Sequence, residues 1–148
     1  MSRVRAVLRT GGFLGLSAAT LAAYEAQRAL SSTDSHSELL ARYRDRFTDG
    51  VLRIFGTELL VNGDADLNDG ALVVANHQRA LDSGVMLSVF RGVLVWRLDV
   101  AVWPLLGRLA THGHTIFADR EDRRRGAAAL REIRRRVKEQ RVVVAFPE

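Results

Sequence analysis

The chain has 148 residues, 47% of them hydrophobic and 26% charged, which allows one packed domain plus an appendage and excludes wholesale disorder. It contains no cysteine, which excludes disulfides, thiolate metal sites and cysteine nucleophiles and fits a reducing compartment. The net charge of +5 is unevenly placed: from Arg120 to Arg141 ten Arg/Lys stand against four Asp/Glu, a local excess of +6 that leaves the remainder near neutral. Such a block suits an anionic partner (phosphate groups, an acidic membrane surface or nucleic acid), and a solvated helix face would look the same.

Residues 3–30 read as one helix, loosened by Gly11, Gly12 and Gly15. Arg3, Arg5 and Arg9 precede an uncharged stretch from Thr10 to Tyr24, closed by Glu25 and Arg28. Fifteen uncharged residues fall short of the roughly 20 that span a bilayer, so a helix lying in or dipping into the cytoplasmic leaflet is preferred to a spanning one. A cleaved signal peptide lacks a convincing processing site here, and a buried packing helix is the competing reading. Ser31–Ser35 is a polar break with N-cap chemistry, and a second helix follows to about Asp49, with Leu39, Leu40, Tyr43 and Phe47 apolar and Gly50 as its stop.

Strand-like segments come next at Val51–Phe55 and Thr57–Val61, then the turn Asn62-Gly63-Asp64. Leu72–Ala75 predicts a buried strand, and Ser83–Phe90 a short helix capped by Asp82 or Ser83. Gly92–Leu98 is strand-like. Val100–Thr111 predicts a helix, with Pro104 acceptable in its first turn. Thr115–Ala118 is a short strand, Asp122 to Gln140 the basic helix with Ala127, Leu130, Ile133 and Val137 at helical spacing, and Val142–Phe146 a last buried strand. Alternating strands and helices with continuous apolar strands give an α/β layer structure.

Asn76-His77-Gln78-Arg79-Ala80-Leu81-Asp82 follows directly on the apolar run Ala71–Ala75. A histidine at a strand end with a carboxylate five residues on can form a base and its orienting acid across a turn. The bare pattern leaves a second reading open, a surface-loop histidine beside a helix-capping aspartate. His77, His112 and His114 do not make a convincing metal set. Arg123–Arg125 and Arg134–Arg136 lack the interleaved aromatics of a nucleic-acid site. Trp96 and Trp103 fit interfacial anchoring or core packing equally.

Two further blocks follow in order: Gly113-His114-Thr115-Ile116-Phe117-Ala118-Asp119-Arg120 and Val144-Ala145-Phe146-Pro147-Glu148. Together the three resemble the glycerolipid acyltransferases typified by lysophosphatidic acid acyltransferase, with their N-H-x-x-x-x-D, F-I-D-R and F-P-E-G-T-R blocks. Trp103-Pro104-Leu105-Leu106-Gly107 resembles the family's intervening P-x-x-G, and the resemblance covers roughly residues 50–148. Three departures stand out. Arg79 replaces a frequent serine, the second-block glycine usually sits where His114 is, and the chain stops at Glu148 before G-T-R. A buried strand seldom lacks neighbours at a domain's end, so the chain is expected to be a piece of a longer protein.

The resemblance implies an α/β catalytic domain over 51–148, a mixed sheet flanked by helices with its C-terminal part missing, after a two-helix membrane-associating element at 1–50. It implies that His77 deprotonates the free hydroxyl of a lysophospholipid, with lysophosphatidic acid as the first expectation and glycerol 3-phosphate or another lysolipid as alternative acceptors. That hydroxyl attacks an acyl-CoA or acyl-carrier-protein thioester while Asp82 orients His77. Arg120 would hold the acceptor phosphate, with Glu148 and Arg79 also contacting substrate. The implied partners are the acceptor, the thioester donor and an anionic membrane surface, at the cytoplasmic face of the cell membrane in a peripheral or monotopic mode. No metal, further cofactor or nucleic acid is implied. A non-catalytic membrane-binding fragment of the same fold is the alternative from another class, and the 148-residue piece is expected to have little or no activity of its own.

Overall fold

The computed structural model describes residues 3–32, 36–63, 67, 69–76, 81–119 and 121–146. The chain divides into two compact units, 1–60 and 61–148.

The first unit is a helical hairpin of α1 (Arg3–Leu30) and α2 (His36–Phe55). Phe13 packs on Phe47 and Phe55, and Tyr24 stands edge-on to Tyr43, so early α1 meets late α2 and the helices are antiparallel. Leu21, Leu39, Val51 and Leu52 are buried. The buried hydroxyls of Ser17 and Thr48 donate to the carbonyls of Phe13 and Arg44, four residues back. At 28 residues α1 is long and apolar enough to cross a membrane, by length and composition. Val4, Val7, Leu8 and Leu14 on it are exposed.

Gly50 is not the stop expected of it. The helix runs through it to Phe55, and a side chain at 50 would come within 2.7 Å of Leu16, so this glycine makes room for the neighbouring helix. The stop is Gly56, whose φ of 65° is left-handed, with Gly56 N–H on the Arg53 carbonyl (3.0 Å) and Thr57 N–H on that of Leu52 (2.9 Å). Val51–Phe55 is therefore helix rather than strand, and 57–61 joins no sheet. The boundary expected at 50 falls inside α2, ten residues short of the division between units.

The second unit is built on β1 (Ala71–Val74), α3 (Asp82–Phe90), β2 (Val93–Arg97), α4 (Leu106–His112), β3 (Ile116–Ala118), α5 (Arg123–Lys138) and β4 (Val142–Ala145). The sheet order is β1-β4-β2-β3 and every pair is parallel, not mixed as expected. The physical reason is the connections: a helix lies between each strand and the next, and no hairpin joins any of them.

α5 covers one face. Its Ala129 joins Val143 and Ile116 in the core, with Val93, Val95, Ala118, Ile133 and Val137 packed around them. α3 lies toward the other face, to which Trp96 alternates from Val95. β4 is one of the two inner strands, with Val143 and Val144 fully buried, one on each face, so its edges are paired rather than open. β1, expected as a buried strand, is an edge strand among the described residues. Leu72 and Val74 lie on the α5 side beside Val143 and Ala145, yet are half-exposed because α5 sits mainly over β3 and β4.

Two backbone departures matter below. The single helix expected over Val100–Thr111 is split into a 3-10 turn (Leu98–Val102) and α4. Between them Leu105 has φ 62° and ψ −57°, and Leu106 N–H donates to the Pro104 carbonyl at 2.6 Å. This is a γ-turn of the strained, positive-φ kind, worth about 1–3 kcal/mol of local strain. Second, His114 takes φ 55° while Gly113 before it sits at −70°.

Candidate active site

All four strands run in one direction, so the segments that follow them gather along one edge of the sheet, where ligands of parallel α/β sheets bind. The first motif block follows β1, the second leads through β3 to Asp119, and the third leaves β4 at Phe146. β1 and β4 are neighbours, and Ala75 N–H donates to the Ala145 carbonyl at 3.1 Å, so pairing reaches the residue before Asn76. The first and third blocks thus start one strand spacing apart, about 5 Å, and the second lies two spacings from the third, about 10 Å.

Of the residues singled out from the sequence, His77, Arg79, Arg120 and Glu148 lie outside the described residues, as do 33–35, Asp64 and Pro147. Asp82 is described. It is the first residue of α3, partly buried, in a helical turn whose backbone N–H groups favour negative charge. Neither Asp82 nor Ser83 caps α3. The preceding position is Leu81, with helical dihedrals and no side-chain cap bond. Ser83 is buried, and its hydroxyl accepts a hydrogen bond from Trp96 Nε1–H at 3.1 Å.

A cavity of about 700 Å³ opens at this edge, within the range of ligand sites. Its walls are largely apolar: Val95, Trp103 and Leu106 on one side, Ala127, Leu130 and Ile133 of α5 on another. Ser83, Asp119 and Phe146 also line it. These are respectively the residue after Asp82, the residue before Arg120 and the residue two before Glu148. Each of the three blocks therefore has a described neighbour on one cavity.

Asp119 organises the backbone that leads into α5. Its Oδ1 accepts from the N–H groups of Glu121 (3.0 Å) and Asp122 (3.3 Å), and its Oδ2 meets Arg125 at 3.5 Å. Asp122 then caps α5, accepting from the N–H groups of Arg124 (2.8 Å) and Arg125 (3.2 Å). Asp119 was visible in the sequence only as a motif letter; an aspartate three residues before a helix cap, able to accept from the N–H groups two and three residues on, is the signal that marks its role.

The basic helix is partly neutralised by its own acids. Glu132 pairs with Arg135 and Arg136, and Arg135 also reaches Glu139 at 2.6 Å. Hydrogen bonds from Arg135 and then Arg136 hold the Glu132 carboxyl down to about 2.

The acyltransferase family model matches residues 52–148, about two thirds of the chain, including the whole sheet. The chain belongs to the acyltransferase family. Among curated relatives of this family, it is 35% identical over 95 residues to a lyso-ornithine lipid O-acyltransferase of Rhizobium meliloti (strain 1021), a stretch covering 64% of this chain and 32% of that protein. It is 34% identical over 56 residues to a 1-acyl-sn-glycerol-3-phosphate acyltransferase of Neisseria gonorrhoeae, covering 38% of this chain and 22% of that protein. The same figures hold for its Neisseria meningitidis counterpart. The matched stretch thus spans a third or less of these relatives. No solved structure gives a match.

Proposed function

We propose that the protein transfers a fatty acyl group from an acyl-CoA or acyl-carrier-protein thioester to the free hydroxyl of a lysolipid. The observation that carries this reading is the shared cavity: Ser83, Asp119 and Phe146, each beside one of the three blocks, line one largely apolar space at the carboxyl ends of the parallel strands.

In this reading His77 takes the proton of the acceptor hydroxyl as its oxygen attacks the thioester carbonyl. Asp82 orients the imidazole and balances its charge. The tetrahedral intermediate collapses with cleavage of the carbon–sulfur bond, and the departing thiolate receives the proton from His77. No acyl-enzyme forms, so Ser83 is not a nucleophile; its hydroxyl is an acceptor for Trp96. Arg120 binds the anionic headgroup, helped by Arg79 and Glu148, and the apolar cavity takes the acyl chain. The α1–α2 hairpin associates with the cytoplasmic leaflet in a monotopic manner. The exposed Val4, Val7, Leu8 and Leu14 and the arginines at 3, 5 and 9 support this.

Lysophosphatidic acid is the first acceptor proposed, on the strength of Arg120. Lyso-ornithine lipid is the second, because the match to the Rhizobium relative covers more of this chain than the Neisseria matches do. Assays of the full-length protein on lysophosphatidic acid, lyso-ornithine lipid and glycerol 3-phosphate, each with both donors, identify the acceptor. His77→Ala is expected to lower turnover about 10²–10⁴-fold on whichever acceptor is used. Undiminished transfer by that variant would overturn the mechanism.

A further inference from the structure

Trp103 and Leu130 both line the cavity and are 52% and 68% exposed, so they stand at its mouth. Val102, beside Trp103, is 83% exposed. An apolar space thus continues outward into an apolar rim, one side supplied by the 3-10 turn ahead of α4 and the other by α5. The sequence left both tryptophans open as anchors, and the structure separates them: Trp96 donates to buried Ser83, while Trp103 is turned toward solvent.

The rim is held in place by unusual backbone. Trp103 N–H bonds the Val100 carbonyl at 3.1 Å, the strained γ-turn at Leu105 follows, and Gly107 N–H returns to the Trp103 carbonyl at 2.9 Å. Gly107 is required there, since a side chain on it would lie 2.2 Å from the Ala101 carbonyl oxygen. This explains physically why the Trp103-Pro104-Leu105-Leu106-Gly107 segment ends in glycine. The fold thus maintains a strained turn that exposes a valine and a tryptophan.

Charge specifies what this rim meets. Between Arg97 and Arg108, both exposed, Asp99 is the one charged residue, and it is ion-paired to Arg97 at 3.1 Å. Arg123 lines the same cavity. The carboxylates there, Asp119 and Asp122, are occupied by backbone N–H groups and Arg125. An apolar tip carrying an indole, edged by arginines and with the carboxylates among the described cavity-lining residues all compensated, is complementary to the headgroup boundary of an anionic bilayer.

We propose that Val102 and Trp103 insert into the surface of an anionic bilayer, setting the mouth of the cavity against the lipid so that acyl chains enter from the membrane side. This contact belongs to the second unit itself and is separate from any membrane association of α1. It rests on the proposed lipid substrate only for its purpose; the insertion is a physical event that can be read without turnover.

The chain has two tryptophans, so Trp96→Phe leaves Trp103 as the sole indole, and the difference between the parent and Trp103→Phe reports the same residue in unaltered surroundings. Either protein is mixed with phosphatidylglycerol–phosphatidylcholine vesicles whose acyl chains carry bromine near the headgroup. The Trp103 signal is expected to shift to the blue and be quenched. It should weaken severalfold with Val102→Asp, and about fivefold for each of Arg97→Gln and Arg108→Gln. His77→Ala is expected to lower acyl transfer about 10²–10⁴-fold while leaving the quenching intact, which separates a failure of this contact from a failure of the enzymatic reading. Unchanged Trp103 emission, whether the chain co-sediments with the vesicles or stays free, overturns the proposal. So does a finding by light scattering that Val102→Asp dissolves a dimer while vesicles leave Trp103 unaffected, which would make the rim a contact between copies of this chain.

Discussion

Trp96 of β2 and Ser83 of α3 are joined by an indole-to-hydroxyl hydrogen bond of 3.1 Å, thirteen residues apart in sequence. It ties the first turn of α3, where Asp82 sits, to the neighbour of β4. Trp96→Phe leaves Ser83 buried without this donor and is expected to cost about 1–3 kcal/mol in denaturant unfolding. Ser83→Ala removes the acceptor, and the double variant should cost less than the two singles together, because no polar group is then stranded. If Asp82 orients the base, kcat falls in Trp96→Phe with little change in the KM for the donor.

Asp119 fixes the backbone at Glu121 and Asp122, the approach to α5, and in the proposed reading it thereby positions the headgroup contact. Asp119→Ala removes the acceptor for Glu121 and Asp122 N–H and one of the two carboxylate partners of Arg125, loosening the backbone that leads into α5. The KM for an anionic acceptor is expected to rise on the order of tenfold, the worth of one charge-assisted hydrogen bond, with a smaller rise in Asp119→Asn, which keeps an acceptor oxygen. Steady-state kinetics with a varied acceptor checks this, and equal effects on donor and acceptor KM would refute it.

His114 occupies left-handed backbone, while Gly113 beside it does not use its freedom. Left-handed geometry costs a residue with a Cβ about 1–2 kcal/mol, partly offset by the greater disorder of glycine in the unfolded chain. His114→Gly is therefore expected to stabilise the chain by up to about 1 kcal/mol, seen as a higher midpoint in thermal or denaturant unfolding.

Acid should weaken α5 through Glu132. Its carboxyl is held near 2 in the folded chain against 4.5 otherwise, first by Arg135 and then by Arg136. A depressed folded value means the contribution is whole above about 4.5 and is lost as pH falls from there through about 2. The pair is solvent-exposed, so the effect is small. Denaturant unfolding between pH 6 and pH 2 should find Glu132→Gln less stable than the parent at the upper end, with the gap closing as the solution is acidified.

The order and type of most elements were legible because their signals are local. The 3.6-residue spacing of Ala127, Leu130, Ile133 and Val137 marks α5, and the valine run 142–144 marks β4. What failed depended on distant partners. Gly50 and Gly56 look alike in sequence, and only the presence of Leu16 beside one and a left-handed backbone at the other assigns their roles. Leu72 and Val74 are as apolar as any buried strand, and their exposure follows from where α5 lies over the sheet. Of the proposed site, the three blocks were readable as text. Their meeting on one cavity needed the parallel topology, and the roles of Trp96, Asp119 and Trp103 needed coordinates.

The inner place of β4 has a consequence for how the chain folds as it is made. β1 has β4 as its sheet partner among the described residues, and β2 reaches β1 only across β4. The ribosome delivers β1, β2 and β3 first; β2 and β3 can pair with each other, but β1 must wait for residues 142–145 before it joins them in one sheet. The α1–α2 hairpin, made of contacts within the first sixty residues, faces no such delay. During the interval the apolar strands are open to misassembly, which favours a chaperone or a nearby membrane surface on the nascent chain. Silent codon changes that slow translation between β3 and β4 should accordingly lower soluble yield more than equal pauses placed before β1.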